Sequence, residues 1–225
     1  MALSGTLQSL NVARATPVAI NGRKVMTGIG KRSVDGPLAV LPLGLEGDEQ
    51  AALSVHGGLS KAVYAYPSEH YASWKAELPG VDLPWGMFGE NFTTAGLLEE
   101  AVYIGDRFGI GEAEVVVTEP RMPCYKLGLK FGDPSIIRRF LASRRTGFYF
   151  AVLREGVVGA GDTFQLIGGE QKEISVADVT RLYAFDRGDA KSLQLALTVR
   201  ALPEGWKTYF RHQLEKGMSP RTNNR

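Results

Sequence analysis

Short apolar runs, each broken within a few positions by glycine, proline or aspartate, dominate the first two thirds of the chain. Over residues 6–55 they take forms such as Leu10-Asn11-Val12 and Leu38-Ala39-Val40-Leu41, separated by Asn21-Gly22, Asp35-Gly36 and Gly47-Asp48. Those dipeptides tolerate positive φ, so the pattern predicts strands joined by tight turns. The clearest hairpin sets Asn21-Gly22 between Val18-Ala19-Ile20 and Lys24-Val25-Met26. Residues 67–77 predict a helix, with Ser68 as N-cap, Tyr71, Trp74 and Leu78 at helical spacing, and Pro79-Gly80 as its stop. A loop rich in proline and glycine follows over 82–91, and a loop of that length inside a compact domain usually serves function.

Strand patterns return at Val102-Tyr103-Ile104, 107–110, 113–118, 149–158 and 163–167, with Gly105-Asp106 and Gly161-Asp162 as turns. Between them, residues 134–145 read as a helix whose apolar face is Ile136, Ile137, Phe140 and Leu141. Arg138, Arg139, Arg144 and Arg145 fall elsewhere on it and are expected to form a solvated face. At Gly168-Gly169 the period changes to a helical one. Three helices are predicted over 175–185, 189–202 and 204–216, split by Asp186-Arg187-Gly188 and Pro203, with Gly217 as stop. Ser175 with Asp178 has capping-box spacing, and Asp189 caps the second helix. The expected architecture is therefore β-rich mixed α/β: a β domain over 1–168, a small three-helix unit over 173–217 and a disordered tail over 218–225.

With 225 residues and 44% hydrophobic content the chain can bury a proper core. Its 26 basic and 24 acidic side chains leave a net charge of +2, too small a field to drive nucleic-acid or membrane binding. No apolar run is long enough to cross a bilayer, and the opening residues lack the layout of a secretory signal. The first acidic residue is Asp35, as in transit peptides, but the strand pattern of the same region argues against one. A cytoplasmic location is expected.

Candidate chemistry centres on Glu119-Pro120-Arg121-Met122-Pro123-Cys124-Tyr125-Lys126-Leu127, which holds the only cysteine. Two prolines stiffen the segment and end the preceding strand, placing the thiol on an irregular turn. Arg121 and Lys126 bracket it with positive charge, which favours the thiolate that ligand or nucleophilic chemistry needs. A lone cysteine is otherwise an inert small hydrophobe. Zinc has little to recommend it, because His56, His70, His212 and Cys124 show no paired ligand spacing. A Cys124–His56 hydrolase has the residue types but no motif. His56-Gly57-Gly58 with Lys61 could present backbone amides to an anion or be a plain glycine turn, and Gly89-Glu90-Asn91 could line a pocket or cap a strand. Gly28-Ile29-Gly30-Lys31 lacks the third glycine and the βαβ context of a nucleotide loop.

Taken in order, Gly44-Leu45-Glu46-Gly47-Asp48, Val55-His56-Gly57-Gly58 with Lys61-Ala62-Val63, Tyr66-Pro67-Ser68-Glu69-His70-Tyr71, Gly89-Glu90-Asn91, Tyr103-Ile104-Gly105-Asp106, the Cys124 stretch from Pro120 to Leu127 and Gly147-Phe148-Tyr149 form a connected set. The set resembles a MOSC domain, the module named for the C-terminal part of molybdenum cofactor sulfurases, and in particular its short bacterial YiiM-like branch. The match covers about residues 27–161, and the helices after Ser175 resemble that branch's three-helix extension.

The resemblance implies a twisted β-barrel, a molybdenum–pterin cofactor (Mo-molybdopterin) and reduction of N-hydroxylated compounds such as hydroxylaminopurines. It implies Cys124 as the metal ligand and as a catalytic residue with His56, Glu90 and Asn91. Lys31, His56, Gly57, Gly58, Lys61, Asn91, Arg121 and Cys124 fall at cofactor-binding positions, with Glu90 or His56 as proton donor. With no second cysteine for an internal relay, electrons are expected from an external flavin or iron–sulfur donor protein. The helical appendage offers a homodimer contact or partner dock. A cofactor or sulfur carrier without turnover is the alternative.

Overall fold

A computed structural model describes residues 3–20, 23–51 and 57–218. Its strands are β1 (Ser4–Val12), β2 (Thr16–Ile20), β3 (Arg23–Thr27), β4 (Arg32–Val34), β5 (Leu38–Leu41), β6 (Gly44–Leu45), β7 (Val63–Pro67), β8 (Phe92–Ala95), β9 (Arg107–Ile110), β10 (Ala113–Pro120), β11 (Phe148–Arg154), β12 (Gly156–Val158) and β13 (Thr163–Gly168). Six α-helices are described: α1 (Glu69–Glu77), α2 (Tyr125–Phe131), α3 (Ile136–Ser143), α4 (Val176–Ala184), α5 (Ala190–Thr198) and α6 (Glu204–Met218).

Seven strands close a barrel in the order β13-β9-β10-β11-β7-β8-β1, and the ring is completed where Ser4 of β1 pairs with Gln165 of β13. Closure removes the free edges that an open sheet would expose. The β7–β8 pair is parallel, Ala65 opposite Phe92, so the chain must cross over between them through α1 and the 78–91 loop. That crossover carries Glu90 and Asn91 back to the barrel.

Strand β7 is buried at all five positions, with Val63 and Ala65 in the barrel core and Tyr64 and Tyr66 in a separate aromatic cluster. Alternation of side chains along the strand produces this split. In the aromatic cluster Tyr66 stacks on Phe88 with centroids 4.5 Å apart and accepts a 2.7 Å bond from Trp74 Nε1. The barrel core continues without a break into the helices through Val176, Val179, Leu182, Leu193 and Phe210.

The twisted barrel with C-terminal helices agrees with the expected fold. Ser175 forms the capping box with Asp178, and Asp189 accepts the Ser192 amide. Three expectations need correction. Val102-Tyr103-Ile104 makes only an isolated bridge, Tyr103 to Ser175, because Gly105 turns at φ 91 and the Asp106 carboxylate takes the Tyr103 amide. Ser68 precedes α1 but has helical angles and makes no side-chain cap. Gly217 does not stop α6, which reaches Met218.

Among the arginines around α3, Arg139 and Arg145 both pair with Glu77, Arg145 also lies 5.6 Å from the Trp74 ring, and Arg144 covers Phe185 at 4.3 Å. Arg138 and Arg144 are exposed and Arg139 and Arg145 half-buried, so the face is solvated as expected but tied down by these contacts. Strands β2 and β3 pair as expected up to Ile20 opposite Arg23, while the Asn21-Gly22 turn itself, His56 and the tail from residue 219 lie outside the described residues.

Candidate functional site

Strand β10 ends at Pro120, still paired with Phe148, and the next four residues leave the barrel to reach α2. Cys124 is the residue before that helix, half-buried and extended at φ −125 and ψ 171, with its carbonyl accepting the Leu127 amide at 2.9 Å. The irregular segment was expected; the helix directly after it was not, because its seven residues carry two lysines, a glycine and no distinct apolar period.

Beside Cys124 lies a narrow cleft of about 90 Å³ whose walls include Lys31, Asp48, Lys61, Asn91, Arg121 and Lys126. Lys31 is nearly buried, and its ammonium bonds both oxygens of Asp48, whose side chain is 1% exposed. Burial pulls the Lys31 ammonium below its ordinary value, while Asp48 pushes the other way. Asp48 also accepts from the Ala13 amide at 2.8 Å and from Asn91 Nδ2 at 2.9 Å. Asn91 is spent in turn: its Nδ2 also reaches the Asn11 carbonyl, and its Oδ1 accepts the Tyr64 amide. Asn91 thus lines the cleft chiefly as a brace for the Lys31–Asp48 pair.

Arg121 differs. Its guanidinium is buried, 5.4 Å from the Tyr64 ring centroid and 5.1 Å from that of Phe140, and Nη1 has no hydrogen-bond partner among the described residues. A buried charged donor left unbonded is costly. It is the arrangement expected of a group waiting for an anionic ligand. Lys126 is also buried and donates to the Met26 carbonyl at 3.1 Å, with no carboxylate in ion-pair range among the described residues. Tyr149 completes this side, its hydroxyl pushed up to about 12 by burial, with the nearby Arg121 charge opposing.

The predicted site residues do not all converge. Lys31, Lys61, Asn91, Arg121 and Cys124 line the same cleft. Glu90 does not: it is fully buried, and its carboxylate accepts from the Tyr71 hydroxyl, the Gly86 amide at 2.7 Å, the Phe88 amide at 3.0 Å and Thr93 Oγ1 at 3.1 Å. Four donors from one turn and its neighbours make it the clamp of the 84–90 loop. Gly58 adopts φ 89 and gives its amide to Gln50, so that amide is not free for an anion, whereas Gly57 lines a second chamber described below. Asp48, Lys126 and Tyr149 were missed as a site. Asp48 stood in view inside Gly44-Leu45-Glu46-Gly47-Asp48, but nothing local to it marks Lys31 as its partner.

Among the described residues no group of three or more His, Cys, Asp or Glu side chains converges as a metal site. A metal held by Cys124 would draw its other ligands from a cofactor, and a lone soft thiolate amid cations suits a metal that arrives with its own sulfur ligands and an anionic tail.

Residues 52–165 match the MOSC domain model, and the chain belongs to that family. Residues 174–217 match the YiiM-like, 3-alpha helix domain, which places the chain in the YiiM-like branch. The chain is 41% identical over 202 residues to uncharacterized protein YflK of Bacillus subtilis (strain 168), covering 90% of this chain and 91% of that one. It is 35% identical to a protein named Reductase from Gibberella moniliformis (strain M3125 / FGSC 7600), over 88% of this chain but 35% of the relative. The crystal structure of YiiM from Geobacillus stearothermophilus superposes with a TM-score of 0.79 at 33% identity, covering 93% of this chain and 99% of the other. Among the described residues no helix is long and apolar enough to cross a membrane.

Proposed function

We propose that the chain is a molybdenum–pterin-dependent reductase of N-hydroxylated compounds, with Cys124 as the protein's ligand to the metal. The observation that carries this reading is the buried Arg121 guanidinium, with Nη1 unbonded among the described residues, in the cleft that Cys124 also lines. Membership of a family named for molybdenum cofactor sulfurases and a relative named Reductase support it.

When bound, the molybdenum–pterin group supplies the two-electron redox change. Cys124 would hold the metal through Sγ, and Arg121 and Lys126 would offset the cofactor's anionic charge, with Lys31, braced by Asp48 and Asn91, on the same cleft wall. The overall conversion is R–NHOH plus two protons and two electrons to R–NH2 plus water, the electrons coming from an external flavin or iron–sulfur protein. With the Glu90 carboxylate committed to its loop, His56, outside the described residues, is the proposed proton donor.

The test is molybdenum content and hydroxylaminopurine consumption with a reduced artificial donor, for the native chain and Cys124→Ala. Loss of both in the variant is expected. Equal molybdenum and equal turnover would sink the ligand assignment, while a stoichiometric Cys124 persulfide without turnover would make the protein a sulfur carrier instead.

A further inference from the structure

Cys124 faces two spaces. Besides the charged cleft, it lines a larger open chamber of about 550 Å³ between the barrel and the three-helix unit. Lys61 and Tyr149 border both, so the two spaces meet at the cysteine. Their walls differ in kind. The cleft carries the cations Lys31, Lys61, Arg121 and Lys126 beside Asp48 and Glu49, whereas the chamber adds to Lys61 and Glu119 an apolar wall of Met122, Pro203 and three aromatic side chains, Tyr183 of α4 and Trp206 and Tyr209 of α6.

The aromatic wall is built to hold its shape. Tyr183 and Trp206 meet edge to face with centroids 5.4 Å apart, Tyr183 and Tyr209 lie 5.1 Å apart, and Tyr209 donates to the Tyr183 carbonyl at 3.2 Å. One bond then pins this wall to the barrel: Trp206 Nε1 donates to Glu119 Oε2 at 2.8 Å. Glu119 is itself buried at the end of β10, takes Ser60 Oγ at 3.3 Å and lies 3.6 Å from Lys61 Nζ. All three rings are only half-buried, so they keep faces toward the chamber.

Resting on the reading above, we infer that the three-helix unit is part of the site: Tyr183, Trp206 and Tyr209 form the substrate wall of the chamber that ends at Cys124, and select compounds whose reactive nitrogen is attached to a flat aromatic ring. Glu119 is a positioning residue, holding the Trp206 indole at the barrel mouth. A rigid aromatic wall rewards a flat ring by stacking and by buried area, and gives little to a small non-aromatic molecule. The charged cleft and the aromatic chamber thus divide cofactor from substrate on either side of one thiol.

Two measurements test this on the full chain. Adenine, a flat ring without a reducible group, is titrated by calorimetry into the Cys124→Ala protein with and without Trp206→Leu; separately, Michaelis constants for phenylhydroxylamine and N-hydroxyurea are compared in cofactor-loaded native and Trp206→Leu enzyme. The expected result is roughly tenfold weaker adenine binding and a roughly tenfold higher phenylhydroxylamine KM, as for loss of one aromatic partner and its buried area, with a much smaller rise in the N-hydroxyurea KM and molybdenum content retained. Tyr183→Leu provides a second route if the first variant does not fold, with the same expected outcome. Equal changes for both substrates, or adenine affinity indifferent to these residues, would overturn the inference. Adenine binding that depends on Trp206 in a protein that reduces nothing would instead retain the chamber and reject the reductase.

Discussion

Replacing Glu90 by glutamine separates a residue that holds the site from one that performs chemistry. In the native chain each carboxylate oxygen faces a backbone donor, Gly86 N on Oε1 and Phe88 N on Oε2, and the Tyr71 hydroxyl and Thr93 Oγ1 add to Oε1. An amide keeps one acceptor oxygen. If it replaces Oε1, the new NH2 points at the Phe88 amide at 3.0 Å, two donors head to head in a fully buried position. Losing a bond to a charged acceptor costs about 1.5–3 kcal/mol and orphaning the buried N–H about 1–3 more, so Glu90→Gln should destabilise by roughly 3–5 kcal/mol. With an m-value of about 2 kcal/mol/M, the urea midpoint falls by roughly 2 M.

The pH dependence adds a second signature. Burial raises the Glu90 carboxyl above its usual 4.5, and the bonds from Tyr71 and the backbone oppose it. The folded value therefore exceeds the unfolded one, and over the interval between them the folded state binds more protons. The group's contribution to stability is full below pH 4.5 and declines as pH climbs through the folded value. The glutamine variant lacks this slope. A midpoint within about 0.3 M of the native one, combined with lost turnover in fully loaded protein, would falsify the clamp assignment and return Glu90 to the chemistry.

Other perturbations probe the same frame. Asp48→Asn leaves the Lys31 ammonium buried without its counter-charge and should cost about 3–5 kcal/mol in thermal unfolding; no measurable loss would show that the pair is not the brace described. Gly147→Ala should fail to give soluble protein, because φ is 60 there and a Cβ would sit 2.3 Å from the Ala65 carbonyl oxygen and 2.9 Å from the Tyr64 and Tyr66 rings. Burial lowers Lys130 to about 8, so between that value and 10.5 the unfolded chain holds more protons and stability rises with pH. Lys130→Met should remove a rise of about 1–2 kcal/mol between about pH 8 and 9.5, measured as the difference between native and variant denaturation curves.

Local physics lay open in the sequence. Strand runs broken by glycine–aspartate turns, the β2–β3 pairing, and the caps at Ser175 and Asp189 depend on residues within a few positions of one another, and these formed except for the run at Val102-Tyr103-Ile104. Ser68 misled because a proper cap needs an extended backbone, and the parallel crossover from β7 had already turned that residue helical. Motif order carried the family and placed Cys124 and Arg121 together, three positions apart.

Tertiary structure decided which polar residues do which work. Glu90 and Asn91 are adjacent in sequence, yet alternate sides of the returning chain send one into a closed turn and the other to the cleft wall. Pairing Lys31 with Asp48, leaving Arg121 Nη1 unbonded among the described residues and bringing Trp206 onto Glu119 across 87 positions all follow from barrel closure and the shared core beneath the helices. Burial of charge is a property of the assembled walls, because the solvent a side chain loses is displaced by residues far away in the chain; no window of sequence records it.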